Sequence, residues 1–196
     1  MKPRQLLIAV LILLFSSTAA LAQTWEADKD HTEIRFEINH ILTTVSGYFR
    51  DYDADISFDP KHPEDAKFNF TVKVKSIDTH IEKRDAHLGT GEFFDSDTYP
   101  EMTFVSKKIS KIAKGRYALE GVLTIKDVSK NIKTQFQYFG PKPHPFAKEK
   151  MVSGFTTEFS LNRLDYHVGN GKYVKMGIVG ENVHITITIE ALADKQ

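Results

Sequence analysis

The chain has 196 residues, of which 41% are hydrophobic, 27% charged and 11% aromatic, with no cysteine. This is the composition of an ordinary globular protein rather than a disordered or fibrous one. Its 26 basic and 26 acidic side chains balance, which argues against the concentrated basic surface that nucleic-acid binding requires. The lack of cysteine excludes disulfides, thiolate nucleophiles, thiolate metal sites and a lipid-modified N-terminal cysteine.

At the N-terminus, Lys2 and Arg4 precede an apolar run from Leu6 to Phe15 and then the triplet Ala20-Leu21-Ala22. That order reads as a secretory signal peptide, residues 1–22, with cleavage after Ala22. The apolar run is about half the ~20 residues a spanning helix needs, so the mature chain is expected not to span a membrane. Removing Lys2 and Arg4 leaves 24 basic against 26 acidic side chains, a formal charge of −2. The remaining residues 23–196 are expected to form one domain. A domain of this size buries roughly 70% of its unfolded surface and needs no covalent staple in an oxidising compartment such as the bacterial periplasm.

From there the dominant signal is period two, which sets one face of each segment against an apolar interior. A first strand is predicted near 31–41 (Ile34, Phe36, Ile38) and a second near 46–58 (Tyr48, Tyr52, Ala54, Ile56, Phe58). The clearest is Ala66 to Val74, where Ala66, Phe68, Phe70, Val72 and Val74 share a face opposite Lys67, Asn69, Thr71 and Lys73. Thr79 followed by Glu82 reads as a capping box that opens a helix of about nine residues, stopped by Gly89. Phe93-Phe94-Asp95 is expected to add a turn. Further strands follow around Met102 and Phe104, from Tyr117 to Ile125, from Val128 to Tyr138, from Met151 to Leu161 and from Val183 to Ile189, with a loop at Pro141 to Pro145.

Eight long amphipathic strands in hairpin order favour a closed antiparallel barrel, with a sandwich as the alternative. A barrel of that size can be packed solid or can hold one elongated ligand, and composition alone does not separate these. His40 and Arg50 fall on the inward parity of their strands, with a bulge expected near Gly47 because Phe49 has the opposite parity. Ile81, Asp85 and Leu88 are spaced i, i+4, i+7 and Arg84 is three residues from Ile81, so Arg84 and Asp85 lie beside the helix's apolar stripe. Catalytic motifs are missing. Ser76, Asp78 and His80 form no triad merely by being neighbours, because a triad needs converging side chains. His80 and His87 lie seven residues apart on the predicted helix, about 10.5 Å of rise, too far to share a metal ion.

The run Ser76 to Leu88 (SIDTHIEKRDAHL), then Glu92-Phe93-Phe94-Asp95, Tyr99-Pro100 and Met102 to Ser106, resembles the YceI-like family of exported bacterial proteins. Gly121 to Lys126, Gly47-Tyr48-Phe49, Asn162-Arg163 and Gly180 to Val183 extend the resemblance in order across nearly the whole mature chain. Asp127 departs from the glycine usual there, which bears on the turn before the sixth strand. The resemblance implies a lipocalin-like barrel with a helical insertion between strands three and four, no catalysis, and a polyisoprenoid or other long-chain amphiphile in the lumen. It also implies roles in lipid transport or storage or in stress responses.

The expected ligand-lining residues are Phe36, Ile38, Phe68, Phe70, Phe104, Leu123, Phe155 and Phe159, with His40, Arg84, Asp85 and Arg163 toward a head group. No cofactor or metal is expected beyond the bound lipid, and a homodimer is left open. The competing expectations are an unliganded stress or interaction protein with a solid core, and a weak metal or enzymatic role built on His40, His80 and His87.

Overall fold

Strand after strand carries its apolar residues on one side, and the chain solves the resulting burial problem by closing the sheet on itself. The computed structural model describes residues 23–195; the expected signal peptide lies outside them. The strands are β1 (Thr24–Ala27), β2 (Glu33–His40), β3 (Thr43–Phe49), β4 (Tyr52–Ser57), β5 (Lys67–Lys73), β6 (Ile77–Asp78), β7 (Glu101–Ala113), β8 (Arg116–Ile125), β9 (Val128–Pro143), β10 (Lys150–Asn162) and β11 (Val179–Asp194). Among the described residues two short α-helices interrupt them, α1 (Glu82–Leu88) and α2 (Lys172–Lys175).

The strands β1, β4, β5, β7, β8, β9, β10 and β11 pair antiparallel in that order, and β1 returns to β11 through Glu26 opposite Leu192 and Ala27 opposite Ala191. This closed ring of eight is the expected barrel, and the sandwich is ruled out. Closure leaves no free edge in the ring. β2 continues the line of β1 along β11, with Ile34 opposite Ile187 and Phe36 opposite Ile185, and forms a hairpin with β3.

Two breaks adjust the register. Inward residues are odd-numbered in β1 (Trp25) but even-numbered in β2 (Ile34), and odd in β3 (Phe49) but even in β4 (Tyr52, Ile56). A side-chain period of two means that a parity change needs an irregular residue, and the chain places these at 28–32 and 50–51. The second flip was expected near Gly47; it falls at Arg50-Asp51 instead. Arg50 is therefore outside, paired with Asp78 at 3.1 Å and lying over the Tyr48 ring. The first strand, β1, was missed because its four residues are too short to show a period. The Pro141 to Pro145 loop begins later than expected, since β9 runs on through Pro143.

One end of the barrel is filled. Phe58 is fully buried, with the rings of Tyr138, Tyr117, Phe136, Phe155 and Phe68 at 4.9 to 5.9 Å between centroids. Trp25 Nε1 donates to the Phe58 carbonyl at 3.0 Å, and the Tyr138 hydroxyl bonds Ser153 Oγ at 3.1 Å. Burial pushes the Tyr117 and Tyr138 hydroxyls up from their ordinary values, so both stay protonated at neutral pH. At the opposite end β3, paired on one side with β2, pairs on the other with β6 (Tyr48 opposite Asp78, Phe49 opposite Ile77). Helix α1 and the turn after it pack Leu88, Phe93 and Phe94 into the same apolar cluster as Phe49 and Val168.

Candidate functional site

Between these ends the barrel is hollow. A cavity of about 470 Å³ is bordered almost wholly by apolar side chains from the inward strand faces. That volume lies in the range of small-molecule sites, and is about three times the ~150 Å³ apolar cavity that accepts a benzene. Its floor is Phe68, Phe136 and Phe155, the upper surface of the aromatic plug. Phe36, Phe70, Phe104, Leu123 and Phe159 form the wall and are only half-buried although they point inward, because the space beside them is empty.

Two glycines make room for the wall. A Cβ on Gly47 would sit 2.4 Å from the Phe36 ring, and one on Gly121 the same distance from the Phe104 ring. Each ring thus lies flat over a neighbouring strand's bare backbone rather than standing across the lumen. One polar spot interrupts the wall, where Thr134 and Thr157 hydroxyls meet at 3.2 Å and Thr157 donates to the Gln135 carbonyl at 2.8 Å.

Five further polar groups bordering the cavity gather at the end away from the plug: His40, Thr79, Arg84, His87 and Arg163; Arg35, Thr103 and Thr156 border it from the strands. Helix α1 is anchored here, but not by the expected capping box. Its N-cap is Ile81, with no side-chain cap bond, and Thr79 lies too far upstream to serve. Asp85 reaches back instead, accepting from the Thr79 N–H at 3.0 Å and from the Thr79 hydroxyl at 2.5 Å. Arg84 Nε donates to the Thr79 hydroxyl at 2.7 Å and Nη2 to the Thr79 carbonyl at 2.5 Å. Thr79, 2% exposed, is the hub of this network.

Arg163 is 5% exposed. Nε donates to the Gly180 carbonyl at 2.8 Å and Nη1 to the Val168 carbonyl at 2.7 Å, while Nη2 has no partner among the described residues. Burial lowers its pKa from the ordinary value, opposed by the charge of Glu181. The group stays a cation, and a buried cation with a spare donor is costly until an acceptor meets it.

A cover of rings lies beside Arg163. Phe93 and Tyr173 stack at 5.8 Å, and the His87 ring meets Phe93 edge-on at 5.2 Å. Glu92 accepts from Tyr173 at 3.5 Å and lies 2.7 Å from His87 Nε2. Lys126 Nζ ties the cover down through the carbonyls of Phe93 and His167, and Asp127 holds His167 at 3.0 Å. The turn where glycine was expected is formed by Lys126 at positive φ followed by Asp127.

Phe36, Ile38, His40, Phe68, Phe70, Arg84, Phe104, Leu123, Phe155, Phe159 and Arg163 all border the cavity; Asp85 does not, because its carboxylate is spent on Thr79. Reading the sequence missed the place of Thr79, Phe94 and Tyr173. The motif around Thr79 could have flagged it, but Tyr173 sits in an irregular stretch with no period to betray its direction. His40, His80 and His87 do not assemble. Among the described residues, the acidic and histidine groups close enough to share an ion are Asp28, His31 and Glu190, and His62, Glu64 and Asp65.

The model of the YceI-like domain matches residues 25–191. The chain is 28% identical over 186 residues to protein YceI of Escherichia coli O157:H7, covering 93% of this chain and 94% of that one. The crystal structure of the Campylobacter jejuni YCEI protein superposes with a TM-score of 0.68 at 31% identity, over 79% of this chain and 87% of that chain. A polyisoprenoid binding domain from Saccharophagus degradans, implicated in plant cell wall breakdown, shares the fold at a TM-score of 0.63 and 14% identity, over 88% of this chain and 99% of that chain. With the barrel, its cavity and a family match over most of its length, this chain belongs to the YceI-like family.

Proposed function

We propose that this protein is a non-catalytic, exported carrier that holds one long-chain amphiphile, of the polyisoprenoid or fatty-acyl kind, in its barrel. The observation that carries the reading is an apolar cavity with a closed aromatic floor and His40, Arg84, His87 and Arg163 collected at the other end. Such a tube takes a chain tail-first and leaves the polar terminus beside Arg163, Arg84 and His40. By volume it accommodates on the order of 15 to 20 carbons. At ~0.8 kcal/mol per methylene, a dozen buried groups supply about 10 kcal/mol before ordering costs, so polar contacts add selectivity more than affinity. The fold shared with the polyisoprenoid binding domain from Saccharophagus degradans supports the ligand class. The leader-like residues 1–22 support export to the periplasm. A solid-core interaction protein fits the cavity poorly.

Native mass spectrometry of the protein expressed with its leader, followed by solvent extraction, tests this. The expected result is the mass of residues 23–196 plus an adduct identified as an isoprenoid or long-chain lipid. A bare mass, together with no uptake of added long-chain lipids, would overturn it.

A further inference from the structure

The open end of the barrel carries apolar surface that the fold does not use. At the β2–β3 tip Ile41 is 63% exposed and Leu42 95% exposed, and Met176 beside them is 58% exposed. The two segments are joined: the Ile41 N–H donates to the Ile178 carbonyl at 2.9 Å. Ile41 also holds φ at +52°, a conformation unfavourable for a β-branched residue. Strain that leaves apolar side chains in water adds nothing to folding stability, so it points to use outside the folded monomer.

Charge indicates what meets this tip. Residues 39–44 and 170–178 contain no carboxylate, and the second segment has Lys172 and Lys175, both exposed, flanking the apolar tip. Apolar side chains inside a cationic rim match an anionic bilayer surface, with the apolar groups in the acyl boundary and the lysines at the phosphates. Immediately behind the tip, His40, Ile178 and Val179 border the lumen. We propose that the β2–β3 tip and the Met176 turn form a membrane-docking rim, through which the barrel loads from, or delivers to, an anionic phospholipid surface without exposing the chain to water. This rests on the lumen reading above.

The test uses full-length mature protein with vesicles of phosphatidylcholine alone or with phosphatidylglycerol, and follows both vesicle binding and uptake of a fluorescent long-chain lipid. Binding is expected only with phosphatidylglycerol. Neutralising both lysines (Lys172→Gln with Lys175→Gln) should weaken it roughly thirtyfold, at ~1 kcal/mol per surface cation. Leu42→Glu and, independently, Met176→Glu should each slow uptake from vesicles about tenfold, while uptake of the same lipid from detergent stays normal. Phe146→Glu serves as control. Phe146 is 92% exposed in the β9–β10 loop at the plug end, and its replacement should change nothing. Equal binding to both vesicle types, or wild-type loading from vesicles by both tip variants, would overturn the rim, as would capture by a protein partner in place of vesicles. If the wild type takes lipid from neither vesicles nor detergent, the lumen reading fails, and vesicle binding still decides the rim separately.

Discussion

The two ends of this barrel are built from the same residue types and do opposite things. At the plug, Phe58 meets five other aromatic rings and no space is left. Half a strand away, Phe36, Phe70 and Phe104 stand around an empty lumen. The difference lies in what faces each ring. Phe58 points inward from just beyond the end of β4 and projects toward the barrel axis. Phe36 and Phe104 lie back over Gly47 and Gly121. An aromatic side chain fills a barrel or lines one according to whether its neighbour has a Cβ.

The sharpest test removes the plug. Phe58→Ala deletes a fully buried ring from a close-packed cluster and should cost about 3–5 kcal/mol, measured by urea denaturation against wild type. Phe104→Ala deletes a ring that already faces empty space, and its cost should be smaller by more than half. Equal losses would mean that the wall is packed as tightly as the plug.

The converse experiment adds volume. Ala191, fully buried in the plug cluster, should resist enlargement, so Ala191→Leu is expected to lose about 1–3 kcal/mol through overpacking. Ile185→Phe adds bulk to the lumen wall, where there is room. Its stability should hold or rise while long-chain lipid uptake falls, read by denaturation and by fluorescent-lipid titration of the same samples. Unchanged uptake would remove Ile185 from the lining.

How much of this was legible before the fold was known follows from what period two can carry. Alternation exposed the strand faces from Phe36 to Ile189, and with them most of the lumen wall. It does not register a change of parity until the residues on both sides are assigned, which is why Arg50 looked inward when it sits outside beside Asp78. Alternation also shows that Phe58 and Phe104 both face inward, but not whether the space before them is filled. That depends on cross-strand neighbours such as Phe104 and Gly121, which register alone brings together. At the polar end, spacing placed Arg84 and Asp85 at the edge of the helix's apolar face. Their separate fates, one bordering the cavity and the other bound to Thr79, are set by tertiary contacts.

Thr79 offers a test at that polar end. Thr79→Val keeps the shape but removes the hydroxyl that accepts from Arg84 and donates to Asp85. Leaving those groups partly unpaired in a half-buried site should cost about 1–3 kcal/mol. It should also loosen α1, seen as faster amide exchange from Glu82 to Leu88 with the plug strands unaffected. Uniform faster exchange through both ends would show that the insertion and the barrel open as one unit.

The smallest expected effect lies where β1 gives way to β2 and the inward parity changes. His31 Nδ1 is 2.9 Å from Asp28 Oδ2. The hydrogen bond, more than the direct charge, raises the imidazole above its ordinary 6.5 and, in the same way, lowers the carboxylate below its ordinary 3.8. A raised imidazole pKa stabilises the fold fully below the unfolded value, and that contribution is lost as pH rises through the folded one. A lowered carboxylate pKa contributes above its unfolded value and is lost as pH falls through the folded one. The pair therefore helps most between the ordinary values of 3.8 and 6.5 and fades as pH rises through the raised imidazole value or falls through the lowered carboxylate value. His31 is 65% exposed, so the contribution is small. Comparing wild type with His31→Asn by denaturation at pH 5 and pH 8.5 should show a stability gap at the lower pH that closes at the higher. A gap that persists at pH 8.5 would assign His31 a neutral packing role at the break, with the parity change held by the Asp28 N–H bond to the Glu190 carbonyl.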